Sequence, residues 1–200
     1  MKLKRPEPKS KIPPDAQRVF KGEQFEVYQW KQELFDGSTA IFEKIKRRDS
    51  VNVIPVLNDG KIVVTEQEQP AHTPFWSSAG GKCDEGEDPI ACAKRELLEE
   101  SGYEAGELIL WNASQPSAMA DWAIYTFIAK KCRKVTEPHP DAGEKINLHF
   151  LTFDEFVTLT RKPYYRDLEI ALAVHRALGS KEEFEKLKLL FTPLDPEGQR

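Results

Sequence analysis

Cysteine and methionine are scarce in this 200-residue chain, with three of one and two of the other. Cys83, Cys92 and Cys132 are odd in number, widely spaced and free of any Cys-x-x-Cys pair. That fits reduced thiols in a cytoplasmic compartment better than a disulfide framework, and no such pair suggests zinc. No apolar run approaches the ~18 residues that a membrane span needs. The charged N-terminal stretch lacks the apolar centre of a secretory signal. Positive charge is not in surplus either: 29 Lys and Arg stand against 33 Asp and Glu, a formal net charge of −4. A protein that coats nucleic-acid phosphates is therefore not expected. Any strongly anionic ligand would need a local cationic site, or a metal ion held by acids. What is present, 40% hydrophobic and 31% charged residues, is the composition of a soluble domain with a core.

Along the chain, residues 1–17 are rich in Lys and Pro and read as a loose or edge-lying arm. Residues 19–45 alternate in hydrophobicity around an Asp36-Gly37 turn signal, which predicts a hairpin. An apolar strand follows at 51–57, then a turn at Asn58-Asp59-Gly60, a returning strand at 61–65, and loop from 66 to 86. Asp88-Pro89 opens a helix that Gly102 should stop. Strands are expected at 108–112, 122–129 and 146–151. Helices are expected at 154–159, at 166–178 with Leu168, Ala171, Leu172 and His175 on one face, and at 181–190. The outcome is one mixed α and β domain with a helical C-terminal end.

The chemistry is concentrated in residues 81–103. On a helix turning about 100° per residue, Glu96 and Glu100 share one face, with Glu99 on its flank. Ile90, Ala93 and Leu97 form an apolar stripe for the core. Two like charges at about 4 Å repel by about 4 kcal/mol at an effective dielectric near 20. Such glutamates either splay into water, partly offset by Lys94 and Arg95, or share a hard divalent cation. Mg²⁺ prefers oxygen ligands and completes its shell with water and substrate phosphates. Gly80-Gly81, just before the helix, would let the backbone approach that ligand.

The segment resembles the Nudix box, Gly-x5-Glu-x7-Arg-Glu-U-x-Glu-Glu-x-Gly-U with U usually aliphatic. Gly81, Glu87, Arg95, Glu96, Leu97, Glu99, Glu100 and Gly102 match, and Tyr103 departs at the last position. At average residue frequencies the fixed identities would arise by chance in under about one chain in 10⁵, so the resemblance is specific. It implies an α+β fold, a Nudix-type α/β/α sandwich around a mixed sheet, here with an N-terminal hairpin extension and C-terminal helices. The corresponding division is 1–48 for arm and hairpin and 49–200 for the Nudix domain. It implies hydrolysis of a nucleoside diphosphate linked to another moiety, with Mg²⁺ or Mn²⁺. Glu96 and Glu100 would be metal ligands, Glu99 a further ligand or water-mediated contact, and the Gly80 carbonyl an additional ligand. Arg95 would pair with Glu87 and orient the carboxylates. Cys83 and Cys92 occupy variable positions and carry no nucleophilic role.

Residues 141–148 resemble the acidic loop before the last strand of ADP-ribose pyrophosphatases, which makes Glu144 a further ligand or the catalytic base; Asp141 is as readily a loop solubiliser. The early hairpin resembles the extension through which that group dimerises, with Trp30, Phe35 and Phe42 available for contacts or for ordinary strand packing. Gly81 and Trp76 are candidate substrate contacts, with core support an equal role for Trp76. His72 reads as a surface residue, as do Lys82, Arg47 and Arg48. Four features differ from the group: Ala142 stands where a second acid is common, which bears on which residue is the base, residues 65–70 carry no arginine, Ala79 replaces a proline, and Pro116 lies nearer the box than the proline that ADP-ribose hydrolases carry. The resemblance thus implies ADP-ribose first, and another nucleotide-sugar, a nucleoside triphosphate or a non-catalytic ligand-binding module as alternatives.

Overall fold

The computed structural model describes residues 3–193. Three strands come first: β1 (Gln17–Lys21), β2 (Glu26–Glu33) and β3 (Thr39–Lys46). Next are β4 (Ser50–Pro55), β5 (Ile62–Glu68) and β6 (Phe75–Ser77), followed by helix α1 (Pro89–Ser101). Then come β7 (Tyr103–Glu104), β8 (Glu107–Ser114), β9 (Ala120–Asp121), β10 (Ile124–Lys130), β11 (Arg133–Lys134) and β12 (Lys145–Leu151). The chain closes with α2 (Phe153–Leu159), α3 (Leu168–Ala177) and α4 (Lys181–Leu190).

The centre is a mixed sheet of order β4-β10-β8, in which β10 runs parallel to β4 and antiparallel to β8. Every residue of β10 is buried, as expected for a strand covered on both faces. Val51, Val53, Tyr125 and Phe127 face α1, where Ala93, Leu97 and Cys92 complete one core. Ile54, Val56 and Ile128 face the other way, onto β5 and the three C-terminal helices through Phe156, Ile170, Val174 and Leu187. This is the expected sandwich.

A second sheet has order β12-β5-β6. Its junction with the first positions the site. Val56 and Ile62 bridge the turn between β4 and β5, and the chain beyond β6 crosses over to β4, bridging Val53 at Ala79 and Ser50 at Lys82. Gly80 lies in that crossover. A Cβ there would sit 2.2 Å from the Val51 carbonyl oxygen, at a φ of +150°, so the crossover requires glycine.

The structure corrects three expectations. Residues 66–86 are not all loop: β5 runs on to Glu68, and β6 pairs with it through Thr65–Ser77 and Gln67–Phe75. The inward residues of β5 here are Thr65 and Gln67, both buried, and their polarity hides the alternation. The buried face of α3 is Ile170 and Val174, while Leu168 and Leu172 are exposed; the contact with α2 and α4 selects the β-branched pair. The described part of the arm is tied down: Arg5 reaches Asp49 and Asp121 at 2.8 Å each, and the buried Lys44 donates to Ser10. The expected hairpin is present as β2 and β3, paired with β1 on one side and β9 on the other.

Candidate active site

Helix α1 begins where Asp88 accepts the Ile90 N–H and Pro89 fills the first turn, and it ends at Gly102 in the left-handed conformation. Packing Ala93 and Leu97 on the sheet turns Glu96 and Glu100 inward, and both are buried. Glu100 accepts the Gly80 N–H at 2.8 Å, and Gln67 Nε2 lies 3.4 Å away. Glu96 lies against Gly81, where a Cβ would meet its carboxylate oxygens at 2.7 Å. Gly80 faces backbone and must be glycine, whereas a side chain at Gly81 would have to displace the end of Glu96. The carbonyls of Ala79 and Gly81 accept from Val53 and Val51, and among the described residues no backbone N–H donates to the intervening Gly80 carbonyl.

Arg95 is a brace. Its Nε and Nη2 grip Glu87 at 3.1 and 3.0 Å, and its Nη1 reaches Glu96 at 2.9 Å and Glu99 at 3.0 Å. Glu87 is held below the usual carboxylate range, chiefly by this guanidinium. Glu99 is half-exposed on the flank. Glu144 arrives from the loop before β12 and is held by Gln69 at 2.9 Å.

The carboxylates share an electrostatic problem. Burial pushes Glu96 up to about 7 against the opposing pull of Arg95, with Glu99 and Glu144 adding repulsion. Glu100 is raised well above its usual range by burial, and Glu144 and Glu96 add to it. Glu144 is raised by burial and by Asp141. Desolvated like charges with hard oxygen donors beside a bare backbone carbonyl fit a divalent cation. Glu96, Glu100, Glu144 and Gly80, with Glu99 at the edge, would hold it.

A cavity of about 260 Å³ opens on this cluster, lined among others by Gly80, Gly81, Gln67, Gln69, Glu100 and Glu144. Four further residues on its wall were read as surface charges or passed over in the sequence: Arg47, Lys82, Arg166 and Asp167. Asp167 is buried and accepts the Ser78 N–H and Oγ–H at 2.6 and 2.7 Å, which anchors the crossover strand; burial pushes it up to about 6. Gln67 and Gln69 were also missed. Their two-residue spacing on a strand was the available signal.

Trp76 is not brought to the cavity. It alternates with Phe75 and Ser77, which are, and stacks on His149 at 4.1 Å between ring centroids. Its place is core support on the opposite face. Trp30 and Phe42 form a cross-strand pair at 6.1 Å, and Phe35 is fully exposed at the hairpin tip. Cys83 and Cys92 are free and buried beneath the box.

Comparisons with known proteins give the family and the fold. Residues 46–170 match the NUDIX domain model. The chain is 31% identical over 163 residues to the methanol dehydrogenase activator of Bacillus methanolicus, covering 80% of this chain and 88% of that one. It is 28% identical over 175 residues to the ADP-ribose pyrophosphatase of Bacillus subtilis, covering 86% and 94%. A crystal structure of an ADP compounds hydrolase superposes with a TM-score of 0.66 at 18% identity, over 89% of this chain and 96% of that one. The chain belongs to the Nudix family. Within it, the chain is a pyrophosphohydrolase of the kind that ADP-ribose pyrophosphatases exemplify, and divalent metal is the usual cofactor of such enzymes.

Proposed function

We propose that this enzyme hydrolyses ADP-ribose to AMP and ribose 5-phosphate, using Mg²⁺ or Mn²⁺ held by Glu96, Glu100, Glu144 and the Gly80 carbonyl, with Glu99 at the edge. The observation that carries the reading is the meeting of Glu144, from a distant loop, with two buried box glutamates at one glycine bend. The bound cation supplies charge neutralisation on the diphosphate and a water of lowered pKa. Arg95, anchored on Glu87, orients Glu96 and Glu99 through one contact to each. The Gly81 backbone lies on the cavity wall and offers the substrate close approach. Glu144, half-buried and fixed by Gln69, is a ligand in this reading; in the alternative role it would leave the cation and take the proton of the attacking water as catalytic base. In-line attack on one phosphorus then depends mainly on positioning and electrostatics.

The N-terminal sheet supports a homodimer. It leaves Val19, Phe20, Phe25, Ile41, Phe42 and Ile45 exposed, more apolar side chains than a monomer's sheet commonly shows to water. Three buried, unpaired thiols fit a cytoplasmic location. Residues 1–48 act in this reading as the dimerisation element and 49–200 as the hydrolase domain.

A panel of ADP-ribose, other nucleotide-sugars and nucleoside triphosphates with Mg²⁺, scored by monophosphate release, tests the substrate. Fastest turnover of ADP-ribose is the expected result. Preference for a triphosphate, with pyrophosphate release, would replace the reading with its alternative.

A further inference from the structure

We propose that Cys83, Cys92 and Glu87 form a second metal site, for a thiophilic dication of the Zn²⁺ class, at the start of α1 and apart from the oxygen-lined cluster. Filling it draws Glu87 away from Arg95 and so slows hydrolysis. The site itself stands without the pyrophosphohydrolase reading, and only its effect on turnover rests on that reading.

The sulfurs of Cys83 and Cys92 and a carboxylate oxygen of Glu87 all lie within 4.8 Å of one another. A tetrahedral Zn²⁺, bound about 2.3 Å from sulfur and about 2.1 Å from oxygen, spaces its ligand atoms about 3.5–3.8 Å apart. The three side chains therefore need to close by only about 1 Å. Both thiols are free, and eight residues separate them in the sequence, too many for a Cys-x₂₋₄-Cys pair. The fold brings them together where the crossover strand meets the first turn of α1. Each ligand sits on backbone that is already fixed. Cys83 donates its N–H to the Asp49 carbonyl and Cys92 donates its N–H to the Asp88 carbonyl, both at 2.9 Å. Glu87 closes a turn with Asp84, donating its N–H to the Asp84 carbonyl at 3.0 Å and accepting the Asp84 N–H at 2.8 Å. Residues 84–86 of that turn are exposed, which gives an ion a short way in.

Donor chemistry separates this cluster from the catalytic one. Two sulfurs and one oxygen select Zn²⁺ or Cd²⁺, whereas an all-oxygen set suits Mg²⁺ or Mn²⁺. Binding exchanges the two thiol protons for the ion and releases them to solvent, with no change of oxidation state. Two thiolates and a carboxylate then carry three negative charges, which the dication and Arg95 balance. Arg95 Nη2 is already there, 3.0 Å from Glu87 and 3.7 Å from the Cys92 sulfur. The same guanidinium couples the site to catalysis. Its Nε and Nη2 grip Glu87, while its Nη1 orients Glu96 and Glu99. An ion that takes an oxygen of Glu87 competes with that grip, and the two carboxylates lose their guide.

The test titrates the reduced full chain with Cd²⁺ at saturating Mg²⁺, which keeps the oxygen-lined cluster filled. It reads the ultraviolet thiolate-to-metal charge-transfer band together with kcat for ADP-ribose. In wild type the band should saturate at one equivalent of Cd²⁺. It should be lost in Cys83→Ala and in Cys92→Ala and kept in Cys132→Ala, and if Cys92→Ala does not fold, Cys83→Ala carries the test. One equivalent of Cd²⁺ should lower wild-type kcat by about 10-fold or more, as misplaced catalytic groups do, and should leave Cys83→Ala within about twofold of its own ion-free rate. A wild type without the band, or a band that survives in both Ala variants, overturns the site. A band without loss of kcat, or equal inhibition of wild type and Cys83→Ala, overturns the coupling through Arg95. Should wild type hydrolyse none of the substrate panel, the hydrolase reading falls while the band still decides the site.

Discussion

Glu87 and Glu100 belong to one sequence motif and live in opposite environments. Glu87 is gripped on both oxygens by Arg95 and is held below the carboxylate range. Glu100 is buried, accepts one backbone N–H, faces other carboxylates and is pushed well above it. The first is a satisfied ion pair, stable as it stands. The second is an acid whose surroundings penalise its charge, and a cation would relieve that penalty. A motif read as letters gives them equal weight, while their environments separate the brace from the working group.

The sharpest way to break this contrast is to neutralise each in turn. Glu100→Gln should lower kcat by about 10³-fold or more, while metal-free protein at pH 8 melts at the same temperature or higher. Wild-type activity in that variant would remove Glu100 from the site. Glu87→Gln should reverse the pattern, with a stability loss of about 2 kcal/mol as Arg95 loses its two-pronged carboxylate partner and keeps only Glu96 and Glu99, and an activity loss about 10-fold through misaligned Glu96 and Glu99. Denaturant melts and steady-state kinetics on both variants separate the two outcomes.

The pH dependence follows the same division. Glu96 rises on folding from 4.5 to about 7, and Asp167 from 3.8 to about 6. Between each pair of values the folded state holds more protons than the unfolded one, so stability falls as pH climbs through that window. Metal-free protein should therefore be less stable at pH 8 than at pH 5.5, by about 1–3 kcal/mol. Excess Mg²⁺ at pH 8 should restore most of it. A flat profile would show that the cluster is solvated and unstrained. The smallest effect is expected at Trp76: Trp76→Phe keeps a ring against His149 and should leave KM within twofold, whereas a large KM change would put that ring at the substrate.

How far the sequence could be read depends on what each residue faces. Helix α1 was legible because its signals are local: Asp88-Pro89 starts it, Gly102 ends it, and Ala93 and Leu97 mark its buried side. The last helix, 181–190, was legible for similar reasons. Strand β6 and the end of β5 were not, because Gln67 and Ser77 line a polar cavity and break the apolar alternation that marks a strand. Glu144 was found only through family resemblance, since nothing local ties it to α1. The place of Arg166 on the cavity wall was not legible either: it comes from an edge pairing with Trp76 across some ninety positions of sequence, and periodicity carries no information at that range. Trp76 was placed by proximity to the glycines, and strand alternation sent it to the other face.

The central claim, that buried box carboxylates and Glu144 exist to share a divalent cation, is tested most directly by calorimetric titration of metal-free protein with Mn²⁺ at pH 7 in buffers of different ionisation enthalpy. The account predicts a saturable site lost in Glu96→Gln and Glu100→Gln, with net proton release in wild type, because Glu96 is partly protonated at that pH. Binding without proton release, and undiminished in both variants, would contradict it.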